Sequence, residues 1–80
     1  MNPEFNLYMR SDCHLCEDML EMLLPYKQSH HIIINLLDID GSEQLKARYG
    51  LKIPVLMFQE QEICHYYFDQ QSFLSVLENL

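Results

Sequence analysis

Apolar and mixed residues alternate over Phe5-Asn6-Leu7-Tyr8-Met9, the period-two pattern of a short strand. From Leu15 the period changes. Leu15, Met19, Met22, Leu23 and Tyr26 recur at spacings of three and four, which predicts an amphipathic helix. Ser11 and Asp12 offer N-cap oxygens before it, and Glu17 and Asp18 suit the positive end of its dipole. Pro25 is expected to end or kink the helix near Leu24. The next run, His31 to Leu37, is β-branched and almost wholly apolar, as in a parallel strand covered on both faces.

Asp40 and Glu43 have the spacing of a capping box, opening a short helix that closes at Gly50. Ile53-Pro54 leads into Val55-Leu56-Met57-Phe58, and a polar connection, Gln59 to Gln61, separates this from a second run, Glu62 to Tyr67. The two read as a hairpin. Asp69 then caps a last helix with Phe73, Leu74, Leu77 and Leu80 on its apolar face. The order βαβ, α, ββα predicts an α/β fold, a four-stranded mixed sheet flanked by helices, with the first half a right-handed parallel βαβ unit.

At 80 residues the chain is read as a single domain, 1–80, burying about 60–65% of its unfolded surface. An apolar content of 49% belongs to a globular protein. No apolar run reaches the roughly 18–20 residues that span a bilayer, so no membrane association is expected. Met1-Asn2-Pro3-Glu4 lacks the basic and apolar regions of a secretory signal, and a cytoplasmic location is expected. A net charge of −7 argues against nucleic acid as a partner, because phosphate backbones are bound by basic patches. Nothing in the pattern calls for a second copy, and a monomer is expected.

Three cysteines are an odd number and do not make a framework of structural disulfides. Cys13 and Cys16 lie between a predicted strand and a predicted helix. There the first sulfur meets unpaired N–H groups and the positive dipole end, which favour the thiolate, the nucleophile of disulfide exchange. The second sulfur is one turn on, close enough to form an intramolecular disulfide. Cys13 is therefore the expected attacker and Cys16 the resolver of a mixed disulfide. Arg10 and a protonated His14 would add positive charge beside the thiolate, against Asp12, Glu17 and Asp18. Pro54 on its own fits the first position of a strand, where its missing N–H costs little.

Tyr8-x-Arg10-x-x-Cys13-His14-Leu15-Cys16 resembles the active-site segment of glutaredoxin-like proteins, and Ile53-Pro54-Val55 resembles their cis-proline segment. The likeness in element order covers nearly the whole chain. It is closest to a bacterial group of short glutaredoxin-like proteins with a Cys-His-Leu-Cys tetrad followed by an acid, here Glu17. The resemblance implies a thioredoxin fold, thiol–disulfide oxidoreductase activity, and a cis peptide at Ile53–Pro54. It also implies an Ile53 backbone that pairs with an extended substrate or with glutathione. The substrates implied are protein or small-molecule disulfides, with glutathione as a co-substrate, no tightly bound cofactor, and glutathione or thioredoxin reductase as the source of electrons. Family members that use glutathione place a Gly-Gly-Asp turn before the last helix. Here Tyr67-Phe68-Asp69 stands there, so Asp69 and Tyr67 become the substrate-binding candidates, without the two glycines.

Other readings compete. Cys13, Cys16, Cys64 and a histidine (His14, His30, His31 or His65) number enough ligands for zinc. No second Cys-x-x-Cys half-site exists, however, and Cys64 and His65 are adjacent on a strand and point to opposite faces. An iron–sulfur cluster shared between chains and a thioredoxin-fold adaptor without turnover are further alternatives. Retention of both cysteines speaks against the adaptor. Cys64 reads as a small buried residue, His30-His31 as a solvated pair, and the stripe of Met19, Met22 and Leu23 as core. Tyr66, Tyr67 and Phe68 either form an apolar lip for a protein substrate or pack under the last helix.

Overall fold

A computed structural model describes residues 2–80. Its elements run β1 (Glu4–Met9), α1 (His14–Ser29), β2 (Ile33–Asp38), a 3-10 turn (Ile39–Gly41), α2 (Glu43–Tyr49), β3 (Val55–Phe58), β4 (Gln61–His65) and α3 (Gln70–Glu78). The strands form one mixed sheet in the order β2-β1-β3-β4. β1 pairs with β2 in parallel and with β3 antiparallel, and β3 pairs antiparallel with β4 across the two residues Gln59 and Glu60.

Alternation along the strands divides the core in two. Phe5 and Leu7 of β1 and Leu56 of β3 pack with Met19 and Leu23 of α1 and Phe73 of α3 on one face. Val55 and Met57 point the other way and meet Ile39 and Tyr49, so α2 and the 3-10 turn cover the second face. Phe5, Leu7, Leu23, Leu56 and Phe73 are fully buried. Among the described residues no buried side-chain nitrogen or oxygen lacks a hydrogen-bond partner, and no helix is long and apolar enough to cross a membrane.

Several local expectations are corrected. The first helix does not stop at Leu24 but runs through Pro25 to Ser29. Pro25 is exposed, so the helix carbonyl it leaves unpaired can be hydrated, and Tyr26 holds the last turn by packing edge-on against Phe73, ring centroids 4.9 Å apart. Neither Ser11 nor Asp12 caps this helix; Cys13 does. The apolar β2 is not covered on both faces. It is an edge strand, and Ile33 and Leu36 are exposed.

The capping box at Asp40 is also absent. Ser42 caps α2, its hydroxyl accepting the Leu45 N–H at 3.3 Å, while Asp40 turns to Arg10. Gly50 closes α2 with a right-handed φ of −54° rather than as a left-handed C′ residue. Glycine is needed there for space, since a Cβ would come within 2.5 Å of the Lys46 carbonyl oxygen. Leu80 lies beyond α3 and is exposed, off the apolar face assigned to it.

Candidate functional site

The site begins where β1 hands over to α1. Asp12 takes a positive φ of 58°, which turns the chain so that Cys13, extended, becomes the N-cap of α1. The Cys13 sulfur then does what a capping oxygen would: it accepts the backbone N–H of Cys16 at 3.2 Å. A cap that is itself a cysteine puts the sulfur at the orphan N–H groups and positive dipole end of a 16-residue helix. Cys13 and Cys16 lie at disulfide distance, their Cα atoms 5.2 Å apart. Cys13 is half-buried, whereas Cys16 is only 3% exposed behind it.

The two positive groups predicted near the pair, Arg10 and His14, each lie against a carboxylate. Arg10 points to Asp40, with Nε at 3.1 and 3.2 Å from its two oxygens and Nη2 at 2.9 Å from Oδ1. This fork holds the Asp40 carboxyl below its ordinary pKa and raises that of Arg10, each chiefly through the shared hydrogen bonds. The guanidinium therefore ties the β1–α1 turn to the 3-10 turn. His14 is highly exposed, with Nε2 3.4 Å from Asp18 Oδ2 one turn along.

Pro54 is buried, and the Ile53–Pro54 bond is cis. Among the described residues no hydrogen bond occupies the Ile53 backbone, while the Pro54 carbonyl accepts the N–H of Tyr66 at 3.0 Å. Asp69 does not face the site as a free carboxylate. It caps α3, accepting the Ser72 N–H at 3.1 Å and the Ser72 hydroxyl at 2.7 Å, and these bonds hold its carboxyl below the ordinary value. Tyr67 is exposed.

Cys64 is buried on β4, and desolvation pushes its thiol pKa up, which disfavours the reactive thiolate. Among the described residues no three of His, Cys, Asp and Glu converge as metal ligands would.

A feature assigned to the core emerges at the surface. Met22 is 56% exposed, and with Leu15, Met19, Tyr66, Tyr67 and Phe68 it lines a groove of about 280 Å³ beside the tetrad. The tyrosine wall is fixed by the bond from Tyr66 to Pro54 and by the Tyr66 hydroxyl, which donates to the Leu51 carbonyl at 2.6 Å.

Three carboxylates, Asp40, Asp69 and Glu62, have folded-state pKa values lowered from their ordinary values; Glu62 owes this first to Lys52 and then to His65. A depressed pKa contributes stability that is fully present above the unfolded value, about 4. That contribution is lost as pH falls through the folded value. The melting temperature of the protein is thus expected to lose these contributions below about pH 4. Comparison with Asp40→Asn isolates one of them. The gap between the two melting temperatures should be constant from pH 5.5 to 7 and close on acidification. A gap that widened toward low pH would contradict the assignment.

Comparison with known proteins agrees with this arrangement. A family model described as Glutaredoxin-like domain (DUF836) matches residues 4–78. The chain is similar to the solution structure of protein Ne2328 from Nitrosomonas europaea, at 31% identity and a TM-score of 0.84, covering 95% of this chain and 92% of that one. It is similar as well to the X-ray structure of protein XcR50 from X. campestris, at 30% identity and a TM-score of 0.75, covering 95% and 97%. At 17% identity, thioredoxin 1 from Thermosipho africanus shares the fold, with a TM-score of 0.64 and coverage of 95% and 91%. No curated protein matches the chain. The four-stranded mixed sheet with three helices is thus a thioredoxin-like fold.

Proposed function

Because this chain belongs to the Glutaredoxin-like domain (DUF836) family, we propose that it is a thiol–disulfide oxidoreductase whose reacting groups are Cys13 and Cys16. The observation that carries this reading is the position of Cys13 as N-cap of α1, its sulfur receiving the Cys16 N–H at 3.2 Å with the second sulfur buried behind it. The same N–H and the dipole end stabilise negative charge on that sulfur, which favours the attacking thiolate.

The Cys13 thiolate attacks one sulfur of a substrate disulfide, forming the Cys13 mixed disulfide and expelling the other sulfur as a thiolate that takes up a proton. Cys16, losing its proton, attacks Cys13 Sγ, closes the intramolecular disulfide and releases the second substrate thiol. Two electrons and two protons pass to the substrate. A dithiol protein, or two molecules of glutathione, returns them, and no tightly bound cofactor is required. The Ile53 backbone, which makes no hydrogen bond among the described residues, is suited to receive an extended substrate by strand addition.

Arg10 acts here as a positioning residue through its fork on Asp40. His14, exposed at the first helical position, is the side chain of the tetrad best placed to lend positive charge to the thiolate when protonated.

Mild oxidation of the reduced protein should remove two hydrogens, reversibly and from the peptide that holds Cys13 and Cys16, leaving Cys64 alkylatable only after unfolding. Mass spectrometry of the alkylated, digested chain reads both points. Oxidation that left both thiols free, or that paired either with Cys64, would overturn the proposal.

A further inference from the structure

The groove beside the tetrad has an apolar floor and a charged rim of one sign. Leu15, Asp18, Met19 and Met22 follow one stripe of α1 at spacings of three and four, and Glu21 adjoins it. Among the described residues, Asp18 and Glu21 are the only formally charged side chains lining the groove. Of the five Lys and Arg in the chain none lines it, and Arg10, Lys46 and Lys52 are held by Asp40, Glu43 and Glu62. Glu21 has no ion-pair partner among the described residues, and Asp18 has only His14. Met22, 56% exposed, and Tyr67, 71% exposed, line the groove together with Tyr66, whereas Leu24, Ile33, Leu36, Leu51 and Leu80 are exposed elsewhere.

We infer that this groove selects the substrate of the proposed exchange: protein or peptide disulfides whose cysteine is followed or preceded within a few residues by an apolar side chain and a Lys or Arg. Acidic disulfides, including glutathione disulfide, are discriminated against. The inference rests on the oxidoreductase reading and deepens it.

Placement supports the selection. At about 1.5 Å per helical residue, Asp18 and Glu21 lie roughly 7–8 and 12 Å along the axis from Cys13. An extended substrate joined to Cys13 covers that span in about two to four residues. The opposite wall, Tyr66-Tyr67-Phe68, is tied to Pro54, the residue after the free Ile53 backbone, so one extended segment can meet the backbone and the groove together. An apolar side chain gains by leaving water on this floor, and a neighbouring ammonium or guanidinium faces carboxylates and aromatic rings. Glutathione offers carboxylates instead. It meets no basic side chain in the groove, only the carboxylates of Asp18 and Glu21.

The test uses the reduced full-length protein in single turnover against three disulfides: neutral 2-hydroxyethyl disulfide, a cystine-linked peptide with Phe next to the cysteine and Lys three residues away, and the same peptide with Glu for Lys. The Lys peptide should react roughly tenfold faster than the Glu peptide at low salt. The ratio should approach one near 1 M salt, where the screening length falls to about 3 Å. In the doubly substituted Asp18→Asn, Glu21→Gln protein the ratio at low salt should also approach one. A ratio at or below one in the unsubstituted protein, or a ratio that survives the double substitution, overturns the inference. Absence of reaction with the neutral disulfide would instead overturn the oxidoreductase reading itself.

Discussion

Cys16→Ser is expected to turn over once and stop, holding the substrate as a mixed disulfide on Cys13, whereas Cys13→Ser should lose exchange almost entirely. The asymmetry follows from access. Cys13 is half-buried at the N-terminus of α1, while Cys16 is 3% exposed and reaches solvent only if the structure opens. An opening that costs even ~3 kcal/mol would slow attack by Cys16 about 100-fold. Serine at 16 keeps the backbone N–H that bonds the Cys13 sulfur, so the attacking thiolate retains its stabilisation and only resolution is lost. The adduct is read as an added substrate mass on the Cys13 peptide, removable by reductant. Equal trapping by both variants would mean that the cysteines are interchangeable and that the cap geometry does not choose the attacker.

The part of this site legible in the sequence is the part determined by neighbours along the chain. A Cys-x-x-Cys after a strand and before a helix fixes both sulfurs relative to the helix terminus, because backbone periodicity alone sets their spacing. What could not be read depended on distant partners. Arg10 stands three residues before Cys13, and its charge looks available until Asp40, thirty residues on, takes it in a fork. Asp69 caps α3 as its place in the sequence predicts, but the two bonds it accepts from Ser72 could not be read from spacing.

The strand order explains another failure. The run around Ile32 to Leu37 is apolar enough for an inner strand, but sequence does not say that β1, with Phe5 and Leu7 fully buried, takes the central place and leaves β2 at the edge. Met22 fell into the core by periodicity, although the helix face it shares with Leu15 and Asp18 opens onto the groove. At Pro25 the local rule leaves an end or a kink open, and packing decides that the helix continues, since Tyr26 on Phe73 stabilises the turn that proline weakens.

The same contrast sets the largest expected change in stability. Phe73 and Leu80 are assigned to one apolar stripe by periodicity, yet Phe73 is fully buried and Leu80 is 61% exposed beyond the end of α3. Phe73 packs against Phe5 at 5.1 Å, Tyr26 at 4.9 Å and Phe68 at 5.4 Å between ring centroids, so it joins β1, α1 and the groove wall. Phe73→Ala should therefore cost about 3–5 kcal/mol, the lost transfer energy plus the cavity left among rings that cannot collapse together. Domains of this size hold a total of roughly 4–12 kcal/mol, so the variant should be partly unfolded or melt on the order of 12 °C or more lower. Leu80→Ala should cost less than about 0.5 kcal/mol. Thermal and urea unfolding of the two variants beside the unsubstituted protein measures the difference. Comparable losses would mean that Leu80 is packed as the bare periodicity assigns it, and that the end of α3 lies differently on the sheet.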